Sequence, residues 1–265
     1  MIRFVISDAD GTLVCKEKLI DARAFAHTFH TLGARGIPLC IASGRTYPAL
    51  RRLFAPYANG LLYFPLDGAV AVGGSEILCS FPLSNRAVSD GLKLLSLPYV
   101  RGVDFCTLHH SYPAVNDSAL IHSELARLGE ECIPLRTAHA DGIDALPAEP
   151  IYKIIVFTRP TSSAIPLPHD TRAVYQSAYV TELVRTDVSK RRAAEIMCES
   201  LHISADEILA LGDGENDREL LTYAGTAVTI YGAPHHVFSL TKHHTQNAAR
   251  AILRFLNTDT TGKDG

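Results

Sequence analysis

No apolar run in the 265-residue sequence approaches the roughly 20 residues a membrane-spanning helix requires. Positive charge is in no excess either. Against 28 Asp and Glu stand 25 Lys and Arg, a net charge of -3, which provides no basic face for a nucleic-acid backbone and no polybasic segment for an anionic membrane. Neither partner is expected. The six cysteines (Cys15, Cys40, Cys79, Cys106, Cys132, Cys198) are scattered without a C-x-x-C pair or regular spacing, and read as buried or idle reduced thiols. Internal repeats and low-complexity tracts are absent. The first strand begins at Arg3, leaving no room for a signal peptide, and the expected location is the cytoplasm. What remains is an ordinary globular composition, 47% hydrophobic and 20% charged, sufficient for a sizeable core in one large domain or two smaller ones.

The most informative stretch comes first. Phe4-Val5-Ile6 is the β-branched and aromatic run of a strand covered on both faces, and it gives way within a few residues to Ser7-Asp8-Ala9-Asp10-Gly11-Thr12-Leu13. Two carboxylates at the end of a parallel strand lie where open α/β sheets bind ligands, and Gly11 permits a tight turn there. An amphipathic helix follows from about Asp21 (Ala22, Phe25, Ala26, Phe29, Leu32), closed by Gly33 and Gly36. A second strand, Ile37 to Ala42, delivers Ser43-Gly44-Arg45 and a helix to about Phe54; a third, Leu61 to Phe64, ends at Asp67-Gly68-Ala69. Strand and helix alternate as in a parallel sheet with right-handed crossovers.

From about Pro82 the rhythm changes. Asn85 to Leu95 and Ser118 to Leu128 read as helices, Tyr99 to Leu108 and Ile151 to Thr158 as strands, and Thr171 to Val184 holds two short strand candidates, with Pro147, Pro150, Pro160, Pro166 and Pro168 between. The α/β pattern then resumes: a helix capped by Ser189, a capping box at Ser204 to Glu207, a strand Ile208 to Leu211 running into Gly212-Asp213, a strand Thr226 to Ile230 and a closing helix Thr245 to Leu256. The expected domains are a discontinuous core, 1–82 and 181–257, an inserted α+β cap, 83–180, and a frayed tail, 258–265.

Four strings fall at strand ends or helix starts: Asp8-x-Asp10-Gly11-Thr12, Ser43, Lys190, and Gly212-Asp213-Gly214-Glu215-Asn216-Asp217. In order, spacing and setting they resemble the four motifs of the haloacid dehalogenase superfamily, and the block between Ser43 and Lys190 makes the resemblance nearest to its Cof-type phosphatases, with a type IIB cap. The resemblance implies an α/β fold, a Rossmann-like parallel-sheet core with an α+β cap, and Mg2+-dependent hydrolysis of a small phosphate ester, sugar phosphates foremost, by a monomer or weak homodimer. Carried over residue by residue, Asp8 is the nucleophile, Asp10 the general acid and then base, and Lys190 the third catalytic group. Asp8, Asp10 (through its carbonyl) and Asp213 hold the metal; Gly11, Ser43, Gly44, Arg45, Lys190 and Asn216 bind the phosphoryl group; Asp217 orients the metal site or Lys190.

The chemistry of these side chains agrees. A carboxylate attacking phosphorus divides one hard displacement into two, and neighbouring carboxylates in different environments divide nucleophile from acid. Magnesium takes hard oxygen ligands. Ser43 and Lys190 suit the phosphoryl oxygens as a hydrogen-bond donor and a point charge. Bland readings stand beside these: Ser43 as a cap of the following helix, Asn216 with Glu219 as an N-cap pair. Lys190 at a helix start sits against the positive end of the dipole and needs an anion to compensate it.

Other features carry less. Gly212-x-Gly214 lacks the third glycine of a dinucleotide loop, since Asp217 occupies that slot. The pairs His109-His110, His235-His236 and His243-His244 read as no zinc site, because neighbours on a strand point to opposite faces. The chain departs from its relatives where Asp67 replaces an Asn before Gly68-Ala69, where Gly232-Ala233 replaces Asn-Ala, and where an Asp-Gly-Val before the closing helix is missing. Arg101, Asp104, His109, Arg159 and Tyr175 are the cap candidates for substrate selection. Two further functions fit the same residues: a phosphotransferase or mutase, and a non-catalytic sensor of phosphorylated metabolites.

Overall fold

The computed structural model describes residues 1–16, 18–115, 146, 148–160 and 164–261. Strand β1 (Phe4–Asp8) is followed by a short hairpin, β2 (Val14–Cys15) and β3 (Lys18–Leu19), and the helix Ala22–Ala34 leads to β4 (Leu39–Ala42). After the helix Tyr47–Leu53 comes β5 (Leu62–Phe64), and the chain folds back as the hairpin β6 (Val70–Gly73) and β7 (Glu76–Ser80). The helix Asn85–Lys93 opens the inserted unit, which continues through β8 (Val100–Cys106), β9 (Ser111–Val115), β10 (Lys153–Thr158), β11 (Thr171–Gln176) and β12 (Val180–Arg185). The helix Lys190–Leu201 returns the chain to β13 (Ile208–Gly212), and β14 (Thr226–Ile230), β15 (His243–Thr245) and the helix Ala248–Thr261 complete it.

One sheet runs β15-β14-β13-β1-β4-β5-β6-β7, parallel from β15 to β5 and antiparallel in its last two pairings. Alternation along β1 explains why it lies at the centre. Phe4 and Ile6 pack with Ala193, Ala194 and Met197 of the helix Lys190–Leu201, while Val5 joins Phe25, Leu32 and Ile252 on the other face. With β13 on one side and β4 on the other, β1 is the switch point of the strand order, where ligand crevices of such sheets open.

The second sheet, β11-β12-β10-β8-β9, is wholly antiparallel. One of its faces closes a small core of its own with Val88, Val103, Phe105 and Ile154. The other, through Cys106, Ile155, Phe157 and Val184, packs into the same apolar cluster as Val5 and Ile41 of the first sheet.

Several boundaries move. β12 belongs to the second sheet as far as Arg185, beyond the expected limit at 180, because its pairing with β10 continues to Val184. The closing helix starts at Ala248, after β15 and an Asn247 side chain that accepts from Arg250 N–H (3.0 Å), and it extends to Thr261 through residues expected to fray. The helix expected to reach Leu95 turns into a 3-10 segment, Leu94–Ser96. Of the His pairs only His243-His244 lies on a strand; His109-His110 is in a turn and His235-His236 in a short helix. The helix expected over Ser118 to Leu128 lies outside the described residues.

Candidate active site

The carboxyl ends of β1, β4 and β13 converge under the second sheet. Asp8, the last residue of β1, is buried, and the turn after it is held by Leu13 and Val14 N–H groups donating to Ala9 O at 2.9 and 2.8 Å. Gly11 stands in this turn at φ +81°, and a Cβ there would lie 2.2 Å from Asp213 Oδ2. Only glycine lets the first turn approach the acid that leaves β13. Asp213 also accepts a hydrogen bond from Thr12 Oγ1 at 3.1 Å.

Lys190 organises the group. Ser189 caps its helix, accepting from Arg192 N–H at 3.1 Å, and the fully buried ammonium donates to Asp8 Oδ1 at 2.5 Å and Asp217 Oδ1 at 2.6 Å. The anion that its place at a helix start requires is therefore supplied twice. Asp217 uses its other oxygen to accept from the N–H groups of Asp213 (3.0 Å) and Gly214 (2.8 Å), which fixes the loop after β13.

Ser43, buried just after β4, accepts from Arg45 N–H at 3.2 Å; the N-cap position of the next helix is Thr46, so Ser43 is not its cap. Arg45 forks onto Asp10, Nε to Oδ2 and Nη2 to Oδ1, both at 2.7 Å. Two parallel hydrogen bonds of this kind fix the orientation of the carboxyl. Asn216 donates to Asp67 Oδ1 at 2.7 Å rather than standing as the cap of a helix with Glu219.

Negative charge exceeds positive in this cluster. Burial pushes the Asp8 carboxyl well up, against the pull of Lys190. Burial and the neighbouring Asp217 push Asp213 up to about 6. Ligand oxygens of Asp8, Asp213 and Asp217 lie within 4.8 Å of one another. Buried carboxylates that resist ionisation are the donor set a hard divalent cation stabilises. The residues present thus fit Mg2+, with Asp8 and Asp213 as the available carboxylates, since both oxygens of Asp217 already have partners.

Over this cluster lies a cavity of about 1250 Å³, floored by Asp8, Asp10, Ser43 and Asp213 and roofed by the second sheet. Of the five cap candidates, Tyr175 lines it. Asp104 is buried in the second sheet, Arg101 is half-buried on β8 outside the cavity lining, and His109 and Arg159 face solvent elsewhere. Lys153, Glu182, Ser111 and Gln176, which also line it, escaped the sequence reading. One signal was legible: a lysine inside the apolar run Ile151-Tyr152-Lys153-Ile154-Ile155-Val156 requires a buried partner. That partner is Asp67, at 2.8 Å from its Nζ.

The fold has many counterparts among known proteins. A Streptococcus mutans protein superposes with a TM-score of 0.85 at 17% identity, covering 97% of this chain and 100% of its own. A structure described as a subclass IIB sugar phosphatase of the haloacid dehalogenase superfamily does so with a TM-score of 0.76 at 16% identity, covering 96% of this chain and 98% of its own. In sequence, the chain is 23% identical over 254 residues to the 5-amino-6-(5-phospho-D-ribitylamino)uracil phosphatase of Escherichia coli, an alignment spanning 91% of this chain and 90% of that one. The profile of the haloacid dehalogenase-like hydrolases matches residues 5–256, and the chain belongs to that family.

Proposed function

We propose that the protein is a phosphatase that hydrolyses a small phosphate monoester through a phosphorylated Asp8. The observation that carries this reading is the buried Lys190 ammonium, 2.5 Å from Asp8 and 2.6 Å from Asp217, beside the extra carboxylate of Asp213 at the bottom of a covered cavity. One ammonium among three acids keeps a carboxylate poised at a place where phosphate oxygens need cations.

The chemistry takes two displacements. Asp8 forms a bond to phosphorus as the P–O bond to the leaving group breaks, and Asp10 gives the departing alkoxide its proton. Water then bonds to phosphorus, the Asp8–phosphorus bond breaks, and Asp10 takes the proton from that water. In the resting arrangement Asp10 accepts both hydrogen bonds of the Arg45 fork; a phosphate dianion entering the cavity competes for the guanidinium and frees the Asp10 carboxyl to meet the leaving-group oxygen. Ser43 and Lys190 hold the phosphoryl oxygens. Asp8, Asp213 and the Asp10 carbonyl would hold Mg2+, which when bound offsets the repulsion between the carboxylate and the phosphoryl oxygens.

The test is acid quenching during turnover of a phosphate ester in Mg2+, followed by mass spectrometry. A phosphate adduct on the peptide bearing Asp8, removed by hydroxylamine, is expected in the wild type and absent from Asp8→Asn. That substitution should lower turnover by at least about a thousandfold with the circular dichroism spectrum unchanged. Undiminished turnover in the variant, or an adduct on another residue, overturns the reading.

A further inference from the structure

The roof of the cavity contains a second buried lysine, and its surroundings bear on which ester the site takes. Lys153 points from β10 toward the core. Cross-strand partners share a face of a sheet, so the pairs Lys153 with Cys106 and Ile155 with Glu182 place all four side chains on the face that meets the core. The side chain of Lys153 is 1% exposed. An ammonium has three donors. Here they go to Asp67 Oδ2 at 2.8 Å, to the Gly44 carbonyl at 3.1 Å and to Glu182 Oε2.

The consequence is electrostatic. Two carboxylates, Asp67 after β5 of the first sheet and Glu182 of the roof, share one ammonium, so Lys153 does not cancel the charge of Glu182 and keeps no donor for a ligand. Among the described residues, the other cations lining the cavity do not restore the balance: Arg45 is forked on Asp10, and Lys16 stands exposed on the hairpin at the rim. Glu182 is placed differently from Asp67. Its side chain remains 24% exposed and lines the cavity, next to Tyr175 and Gln176. A leaving group beyond the scissile oxygen therefore meets a carboxylate acceptor with amide and phenol groups beside it. Hydroxyls or amines find a partner there; a second carboxylate finds a like charge at short range, an arrangement strongly disfavoured in a partly desolvated pocket.

Taking the phosphatase reading as its basis, we infer that Glu182 is a specificity-determining residue. It accepts hydrogen bonds from hydroxyl or amine groups of the leaving group and, with Lys153 fully engaged, turns away esters whose leaving group carries a carboxylate.

Matched esters test this. Glycerol 3-phosphate and 3-phosphoglycerate differ in one hydroxymethyl group against a carboxylate, as do 2-hydroxyethyl phosphate and phosphoglycolate; p-nitrophenyl phosphate reports phosphatase activity independently of either pair. The wild type should favour the hydroxylated member of each pair by about 10- to 100-fold in kcat/KM. Glu182→Gln removes the like charge and keeps the shape, and should shrink that ratio about tenfold, chiefly by lowering KM for the carboxylate ester. Parity or reversed preference in the wild type, or an unmoved ratio in Glu182→Gln, overturns the inference while turnover of p-nitrophenyl phosphate sustains the phosphatase. No phosphate from any of the five esters overturns the phosphatase reading itself. Should Glu182→Gln not fold, the wild-type ratios decide alone.

Discussion

The molecule uses one device twice, a buried lysine between carboxylates, and the two copies behave oppositely. Lys190 in the core lies between Asp8 and Asp217 with Asp213 close by, and there Asp8 and Asp213 are driven upward, toward their protonated forms. Lys153 in the cap lies between Asp67 and Glu182, and there Lys153 and Lys190 overcome the upward pull of burial and hold Asp67 low. The chemistry of the side chains is the same. What differs is the use of the acid oxygens: Asp67 receives hydrogen bonds on both, from Lys153 and from Asn216, whereas the Asp8 and Asp213 pair faces an open cavity with charge left over. Asp67, with both oxygens engaged, ties the second sheet to the first; Asp8 and Asp213 are left with charge that only a further ligand could balance.

Removing each ammonium should expose the difference most sharply. Lys190→Met leaves Asp8 and Asp217 buried without their common partner, and is expected to cost about 3–5 kcal/mol in urea denaturation and to abolish phosphate release. Mg2+ should recover part of the lost stability, because Asp8 and Asp213 then share the cation. At Lys153 the acids have no such substitute, so Lys153→Met should lose a comparable amount that Mg2+ does not recover. Equal rescue of the two variants would break the distinction between the clusters.

The core cluster was legible in the sequence and the cap cluster was not, for physical reasons. β1, β4 and β13 are covered on both faces, so each is an unbroken apolar run, and an acid or serine at its end stands out. Asp213, Lys190 and Asp217 are brought together by the parallel sheet that this pattern implies. The partner of Lys153, by contrast, lies 86 residues away, in the segment after β5 of the first sheet, and no local periodicity encodes which side chain of an inserted sheet will meet the core. Asp67 was visible only as a departure from its relatives. The hairpin β6 and β7 went unread because its outer strand is an exposed edge, with Ile77 54% and Leu78 40% exposed, and carries no buried face to produce alternation. Asn216 sits in a string that pointed to phosphate, yet its amide is turned to Asp67, a contact between two stretches of the core 149 residues apart in sequence, which no local pattern encodes.

A gentler change tests whether the cap contact is structural. Asp67→Asn keeps the shape and an acceptor for Lys153 but removes the charge, and should cost about 1–3 kcal/mol, measured by thermal and urea unfolding. Its dependence on pH follows from the direction of each shift. Asp67 is held below the usual carboxylate range, so its contribution is complete above about pH 4 and fades as pH falls further; Lys153 is held above its ordinary range, so its contribution is complete below about pH 10 and fades as pH rises further. Between pH 5 and pH 9 the cost of Asp67→Asn should therefore be level. A cost that rises or falls across that window would mean that another group titrates against the contact.

The smallest effect is also the most discriminating about how the two regions are joined. Ser84 caps the first helix of the inserted unit, accepting from Ala87 N–H at 3.1 Å, and Ser189 caps the helix that carries Lys190, accepting from Arg192 N–H at 3.1 Å. Either serine changed to alanine should cost about 1 kcal/mol. If cap and core unfolded separately, the two substitutions would move two different transitions. The structure argues for one: Cys106, Ile155 and Val184 of the cap share an apolar cluster with Val5 and Ile41 of the core, and the Asp67–Lys153 contact crosses the same boundary. Ser84→Ala and Ser189→Ala are thus expected to shift a single calorimetric transition by similar amounts. Placed on an Asp67→Asn background, Ser84→Ala should begin to move an earlier, separate shoulder while Ser189→Ala still moves the main peak, because loosening the polar contact weakens the coupling between the regions without touching either helix.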